Sequence, residues 1–143
     1  MERHARSLEA TGLANRWNLP GELVLYAGSS RSLATLELVV HRASIKPASR
    51  YRVMVLSVPD DDRIFHQVHI ADLPADWRRI TAYTALQDLG SAWYREGRFL
   101  LLKVPSAIIP QEINYIINTR HPDFASSVRL VRTEPYFWDD RLL

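Results

Sequence analysis

Apolar and polar positions alternate in short blocks that predict about six strands and two helices. Leu23–Tyr26, after the Pro20-Gly21 turn, reads as a strand. From Arg31 to Arg42 the pattern changes to a helix, which Ser29 and Ser30 can cap with their hydroxyls. Between Leu33 and Val40 its only polar residues are Thr35 and Glu37. Leu33, Ala34, Leu36, Leu38, Val39 and Val40 otherwise wrap its circumference, and a helix apolar all round is expected to be buried. An unpaired carboxylate at Glu37 would cost several kcal/mol in such a setting, so Glu37 needs an explanation. It is either an acid at the rim of the core, salt-bridged to an arginine, or a group held in a dry cleft for chemistry.

The remaining blocks are shorter. A helical turn fits Arg6–Thr11 and breaks at Gly12. Pro47 stops any extension of the helix. Tyr51–Val58 (Y-R-V-M-V-L-S-V) is apolar and β-branched enough for a central strand. Ile64–Ile70 reads as its hairpin partner across the acidic turn Asp60-Asp61-Asp62. Leu86, Leu89 and Trp93 give helical spacing over Ile80–Glu96, with Gly97 placed to end that helix. Phe99–Val104 is a short buried strand stopped by Pro105-Ser106. The stretch Ala107–Phe124 reads mostly as loop, and Val128–Val131 and Tyr136–Trp138 as late strands. These elements together predict one α+β domain of mixed, largely antiparallel sheets with a few helices, spanning residues 1–143.

Composition removes several function classes. Apolar residues are 47% and charged residues 24% of the chain, an ordinary globular balance. The net charge of +2 rests on 16 Arg and 2 Lys. No basic run exceeds Arg78-Arg79, which argues against direct nucleic-acid binding, whereas scattered guanidinium groups suit anionic ligands. The absence of Cys excludes disulfides and thiolate chemistry and fits a reducing cytoplasm. No apolar run is long enough for a membrane span, and the N-terminus has no signal-like apolar core. The five glycines form no G-x-G-x-x-G or P-loop cradle, and G-x-S-x-G is missing. His66 and His69 are three apart in an expected strand, so they face opposite ways and make a poor metal pair. No metal is expected.

Four polar residues stay notable. Arg16 lies in a loop beside Trp17 and could simply stack on it. Tyr26 ends the first strand and could be a core tyrosine. Glu37 sits in the apolar helix. Ser106 follows a buried strand and could either face a ligand or cap the next turn.

Taken in order, R-W-N-x-x-G, V-L-Y-x-x-S-S, L-E-L-V-V-H, V-P-S-A-I-I-P-Q-E-I-N-Y-I-I-N, H-P-D-F and F-W-D-D-R-L resemble the RES-domain family over residues 12–142. That family is named for an Arg, a Glu and a Ser. The resemblance maps its Arg to Arg16, its Tyr to Tyr26, its Glu to Glu37 and its Ser to Ser106. Two departures stand out: family members begin with a strand ahead of the point where Met1 falls, and they carry Gly-Gly where this chain has Ala14-Asn15.

The resemblance implies a fold like that of diphtheria-toxin-like ADP-ribosyltransferases and a toxin that consumes NAD+ as substrate. ADP-ribose would pass to a protein, to water or to phosphate. Glu37, Arg16, Tyr26 and Ser106 would carry the chemistry, with Arg16, Tyr26, Ser29, Arg31 and Ser106 contacting the dinucleotide. It further implies a cytoplasmic protein silenced by an Xre-like helix-turn-helix antitoxin that covers the site. A cleft ringed by Arg16, Arg31 and Arg42 would attract an acidic segment of that partner. A ribonuclease would need His or Lys as general acid/base, and only His41 and His121 lie near these motifs. An inactive binding module of the same fold would not need the four polar residues together.

Overall fold

In the computed structural model, which describes residues 8–41, 52–136, 139 and 141, two core strands are buried on both faces. These are β4 (Leu101–Pro105) and β5 (Ile113–Asn118). Leu102, Val104 and Ile116 point into one apolar cluster with Trp17, Trp77, Leu86 and Trp93. Leu101 and Ile117 point the other way, into a cluster with Phe124, Val128 and Leu130. A strand covered on both faces needs a nearly continuous apolar run rather than an alternating one, and L-L-K-V-P and I-N-Y-I-I-N supply it.

β1 (Val24–Gly28) pairs antiparallel with β5, and β5 pairs antiparallel with β4. β3 (Phe65–Gln67) closes the four-stranded sheet β1-β5-β4-β3, running parallel to β4 at its edge. A separate two-stranded sheet pairs β2 (Arg52–Ser57) with β6 (Arg129–Pro135), with a register shift between Val55 and Leu56. Leu56 and Leu130 bring that small sheet onto the Leu101/Ile117 face, beside the single-turn helix α3 (Phe124–Ser127). The opposite face is covered by α2 (Tyr83–Glu96) and by the loop that precedes β1. The result is a layered α+β domain, as expected.

Several local expectations hold. α1 spans Arg31–His41, and Ser30 is its cap, with Oγ accepting from Leu33 N at 3.1 Å. α2 ends at Gly97, whose φ of +66° is the left-handed conformation that glycine adopts without steric cost.

Others are corrected. The hairpin expected between residues 51–58 and 64–70 does not form. The acidic turn leads into a 3-10 turn (Asp62–Ile64), capped by the Asp61 carboxylate, that carries the chain into the other sheet. β2 is not central: Arg52, Met54 and Ser57 are exposed, so one of its faces meets solvent. The largest miss is β5, which falls in the stretch read as loop. Its two asparagines have fixed partners: Asn114 Nδ2 donates to Glu37 and Asn118 Nδ2 to Tyr94 O. Asn118 Oδ1 also accepts from Arg120 N at 2.9 Å. Leu8–Thr11 has no helical turn; Leu8 packs into the core. α1 is not buried all round, because Leu33 is buried while Arg31, Ser32 and Ala34 are exposed and Glu37 is half-buried. It flanks an open cleft. Arg6, Arg42, Pro47, Tyr51 and the Phe137-Trp138 part of the last expected strand lie outside the described residues.

Candidate active site

The cleft lies between α1 and the loop before β1, over the end of the sheet where Gly28 and Asn114 sit opposite each other. Its cavity is about 180 Å³ and opens to solvent. Arg16, Tyr26, Gly28, Glu37, Asn114 and Ile116 all line it. Three of the four principal expected residues therefore share one cavity, although Arg16 and Glu37 are 21 positions apart in the chain.

The Arg16 wall is locked from below. Trp17 is buried, and so is Asn18. Asn18 Nδ2 donates to the carbonyls of Leu13 (2.9 Å) and Leu19 (3.1 Å), which folds the loop onto itself. Tyr26 Oη donates to Asn18 Oδ1 at 2.6 Å and accepts from Trp17 N at 3.1 Å. Gln87 of α2 donates to Asn15 O at 2.8 Å. Ser91 Oγ donates to the buried Glu22 at 2.6 Å, whose other oxygen accepts from Leu19 N at 2.7 Å. Gly90 makes this closeness possible, because a Cβ there would stand 1.7 Å from Trp17 O.

Arg16 itself does not stack on Trp17, which has gone into the core. Its Nη1 donates to the carbonyls of Trp77 (3.1 Å) and Arg78 (3.2 Å), and its guanidinium lies 4.8 Å from the Tyr83 ring centroid. A cation over an aromatic face is held in place by the ring's quadrupole. Tyr26 is 40% exposed, so its ring forms part of the cleft wall while its hydroxyl is engaged behind it. Burial is the main cause that pushes the phenol above its ordinary range, against the lowering effect of the Trp17 N–H. Tyr26 is a neutral ring, not a base.

The opposite wall is Glu37. Its Oε2 accepts from Ser106 Oγ at 3.2 Å and from Asn114 Nδ2 in a short contact. Ser106 is 0% exposed and stands behind the carboxylate rather than in the cleft. Its oxygen also accepts from Ile108 N (3.1 Å) and Ile109 N (3.2 Å), which fills the hydroxyl's one donor and two acceptor positions. Of the two alternatives for Ser106, capping of the turn is what the structure shows: its hydroxyl does not face the cleft, and it also holds the acid.

The other two expected contacts sit apart from the cavity. Ser29 is exposed in the turn between β1 and α1. Arg31 points to β6, in a two-bond pair with Glu134 (3.1 and 2.8 Å) that Arg132 joins at 2.6 Å. The expected ring of arginines therefore reduces, among the described residues, to Arg16. The two cations hold the Glu134 carboxyl down at about 2. His66 lies against the Phe99 ring, and no group of three or more metal-binding side chains occurs among the described residues. Nor is any helix there long and apolar enough to cross a membrane.

Sequence reasoning missed Asn114, Asn18 and Gly90. A usable signal existed for the first, since Asn is disfavoured in strands and Asn114 interrupts a run of Ile and Tyr. Gly90 carries no signal in a single sequence, because only the packed loop reveals why it is bare.

Known proteins bear on this geometry. A Prs ADP-ribosylating toxin of Sphingobium sp. is 36% identical, covering 97% of this chain and 91% of its own length. A protein named Toxin Res from Yersinia enterocolitica is 32% identical over 89% of the chain and 82% of its length. Another of that name from Pseudomonas putida is 33% identical over 94% and 92%. Residues 3–139 match the RES domain, and with relatives aligned over nearly their whole lengths the chain belongs to the RES-domain family.

Proposed function

We propose that this protein is a toxin that cleaves NAD+ at the bond between nicotinamide and ribose. The observation that carries the reading is a carboxylate, Glu37, fixed in the wall of a cleft that Arg16 and Tyr26 also line. Breaking that bond sends its electron pair to the nicotinamide nitrogen, which leaves as a neutral ring, and positive charge builds on the ribose, as in glycoside hydrolysis. A preorganised carboxylate stabilises that charge without having to reorganise. Arg16 meets the anionic side of the dinucleotide with a guanidinium whose orientation is already set by two carbonyls and Tyr83. The Tyr26 ring offers a face for the nicotinamide. Ser106 contributes by holding Glu37.

The cation is then quenched by a lone pair of the acceptor, which loses a proton. The name of the Sphingobium relative favours a protein side chain as acceptor over water or phosphate. Such an activity would drain or damage the host cytoplasm, so a neutralising partner is expected, and the name Toxin Res fits a toxin–antitoxin pair. We assign that role to an Xre-like antitoxin covering the cleft, in which case antitoxin and NAD+ exclude each other.

The test is to incubate the pure protein with NAD+ labelled in its ADP-ribose part, with and without phosphate and with a cell lysate. The reading expects free nicotinamide in step with label on protein, on phosphate or in free ADP-ribose. Intact NAD+ with every acceptor supplied refutes it.

A further inference from the structure

Glu37 is held from two directions by groups that come from different strands. Ser106 follows β4 and Asn114 lies within β5, yet both donate to the same oxygen, Oε2. Asn114 is opposite Gly28 of β1 on one side and Val104 of β4 on the other, so its backbone is paired across both neighbours. It is also part of the cleft lining, unlike Ser106.

We propose that Asn114 is a positioning residue that sets the orientation of the Glu37 carboxylate; this rests on the reading of Glu37 as the group that stabilises the ribosyl cation. A carboxylate on a flexible side chain held through one donor can still turn about that bond. A second donor on the same oxygen, anchored in a central strand, removes that freedom. Both donors are neutral. An amide orients the acid without itself bringing a positive charge against it. The strand position explains why an asparagine is tolerated there: the sheet supplies the rigidity, and the side chain points to Glu37.

The decisive variants are Asn114→Ala and Asn114→Asp, measured beside the unaltered protein and Glu37→Gln. Thermal melting first establishes that each is folded. Asn114→Ala should lower kcat of nicotinamide release by about 10- to 100-fold, the scale of a misplaced catalytic group, with KM much less affected. Asn114→Asp should lose more, because a second carboxylate facing Oε2 repels it. In the Glu37→Gln background, Asn114→Ala should change the rate by no more than about twofold, since a residue acting through Glu37 has nothing left to position. Full additivity of the two substitutions, or a loss confined to KM, overturns the proposal in favour of direct substrate contact. A crystal structure of Asn114→Ala decides the point without any activity: the Glu37 carboxylate should leave its place beside Ser106 or occupy several rotamers, and finding it unmoved overturns the proposal. Absence of nicotinamide release by the unaltered protein would strike the proposed function instead, and the structural result would still stand.

Discussion

The two walls of the cleft are held by different physics. The Arg16 wall is backbone, stapled to α2 where Trp17 O lies over Gly90 and pinned by the buried Asn18–Tyr26 pair. The Glu37 wall is a side chain on a half-exposed helix, aimed by two neutral donors on one oxygen. Damage to the first wall should therefore cost folding stability together with activity. Damage to the second should cost rate and leave the fold almost intact.

The comparison breaks most sharply at Glu37→Gln. Its shape is nearly unchanged and its neighbours remain, so melting should shift little while nicotinamide release falls by about 100-fold or more, the loss seen when one preorganised electrostatic group is removed. A variant that keeps near-full rate would return Glu37 to the role of an acid at the rim of the core. On the other wall, Gly90→Ala sets a methyl group 1.7 Å from Trp17 O, so the loop must move. Overpacking of this kind costs about 1–3 kcal/mol and at times more. A depressed melting temperature with a matching loss of activity is expected, and a variant as stable as its parent would show that the loop is not fixed at this point.

Arg16→Lys sharpens the same contrast more gently. A lysine keeps the charge but not the planar guanidinium, which lies over the Tyr83 ring while its Nη1 holds Trp77 O and Arg78 O, so we expect about a tenfold rise in KM for NAD+ with a small drop in melting temperature. An unaffected KM would make Arg16 a distant charge only. The smallest effect concerns the latch from α1 to β6. The Glu134 carboxyl is lowered from 4.5 to about 2 by Arg31 and Arg132. A depressed folded-state value means its stabilisation is present above about 4.5 and is lost as the pH falls towards 2. Glu134 is partly exposed and its two arginine partners more so, which leaves the pair screened by salt. Glu134→Gln should lower the melting temperature slightly above pH 4.5, where the pair is charged, and the two curves should converge as the pH falls towards 2; a difference that persists or grows in acid would contradict this.

The legibility of the chain follows the same division. Short-range signals were readable: Ser30 before α1, Gly97 after α2, the apolar run of β4, and the order of Arg16, Tyr26 and Glu37. These depend on residues within a few positions of each other or on a motif order. Pairing was not readable. β2 finds β6 instead of the segment that follows it, and β5 hides behind two asparagines whose partners lie elsewhere in the fold. Ser106 and Arg31 illustrate the limit at the site itself. Both have the right chemistry for a ligand, but a hydroxyl filled by Glu37 and two N–H groups, and a guanidinium captured by Glu134, have partners that only the packed structure brings close.

The measurement that bears most directly on the account is the rate of nicotinamide release from NAD+ by the purified protein and by Glu37→Gln, with melting curves recorded on the same samples. The account predicts clear release by the first, a loss of about 100-fold in the second, and overlapping melts. Release that persists unchanged in Glu37→Gln, or that is absent from the folded parent with acceptors present, contradicts it.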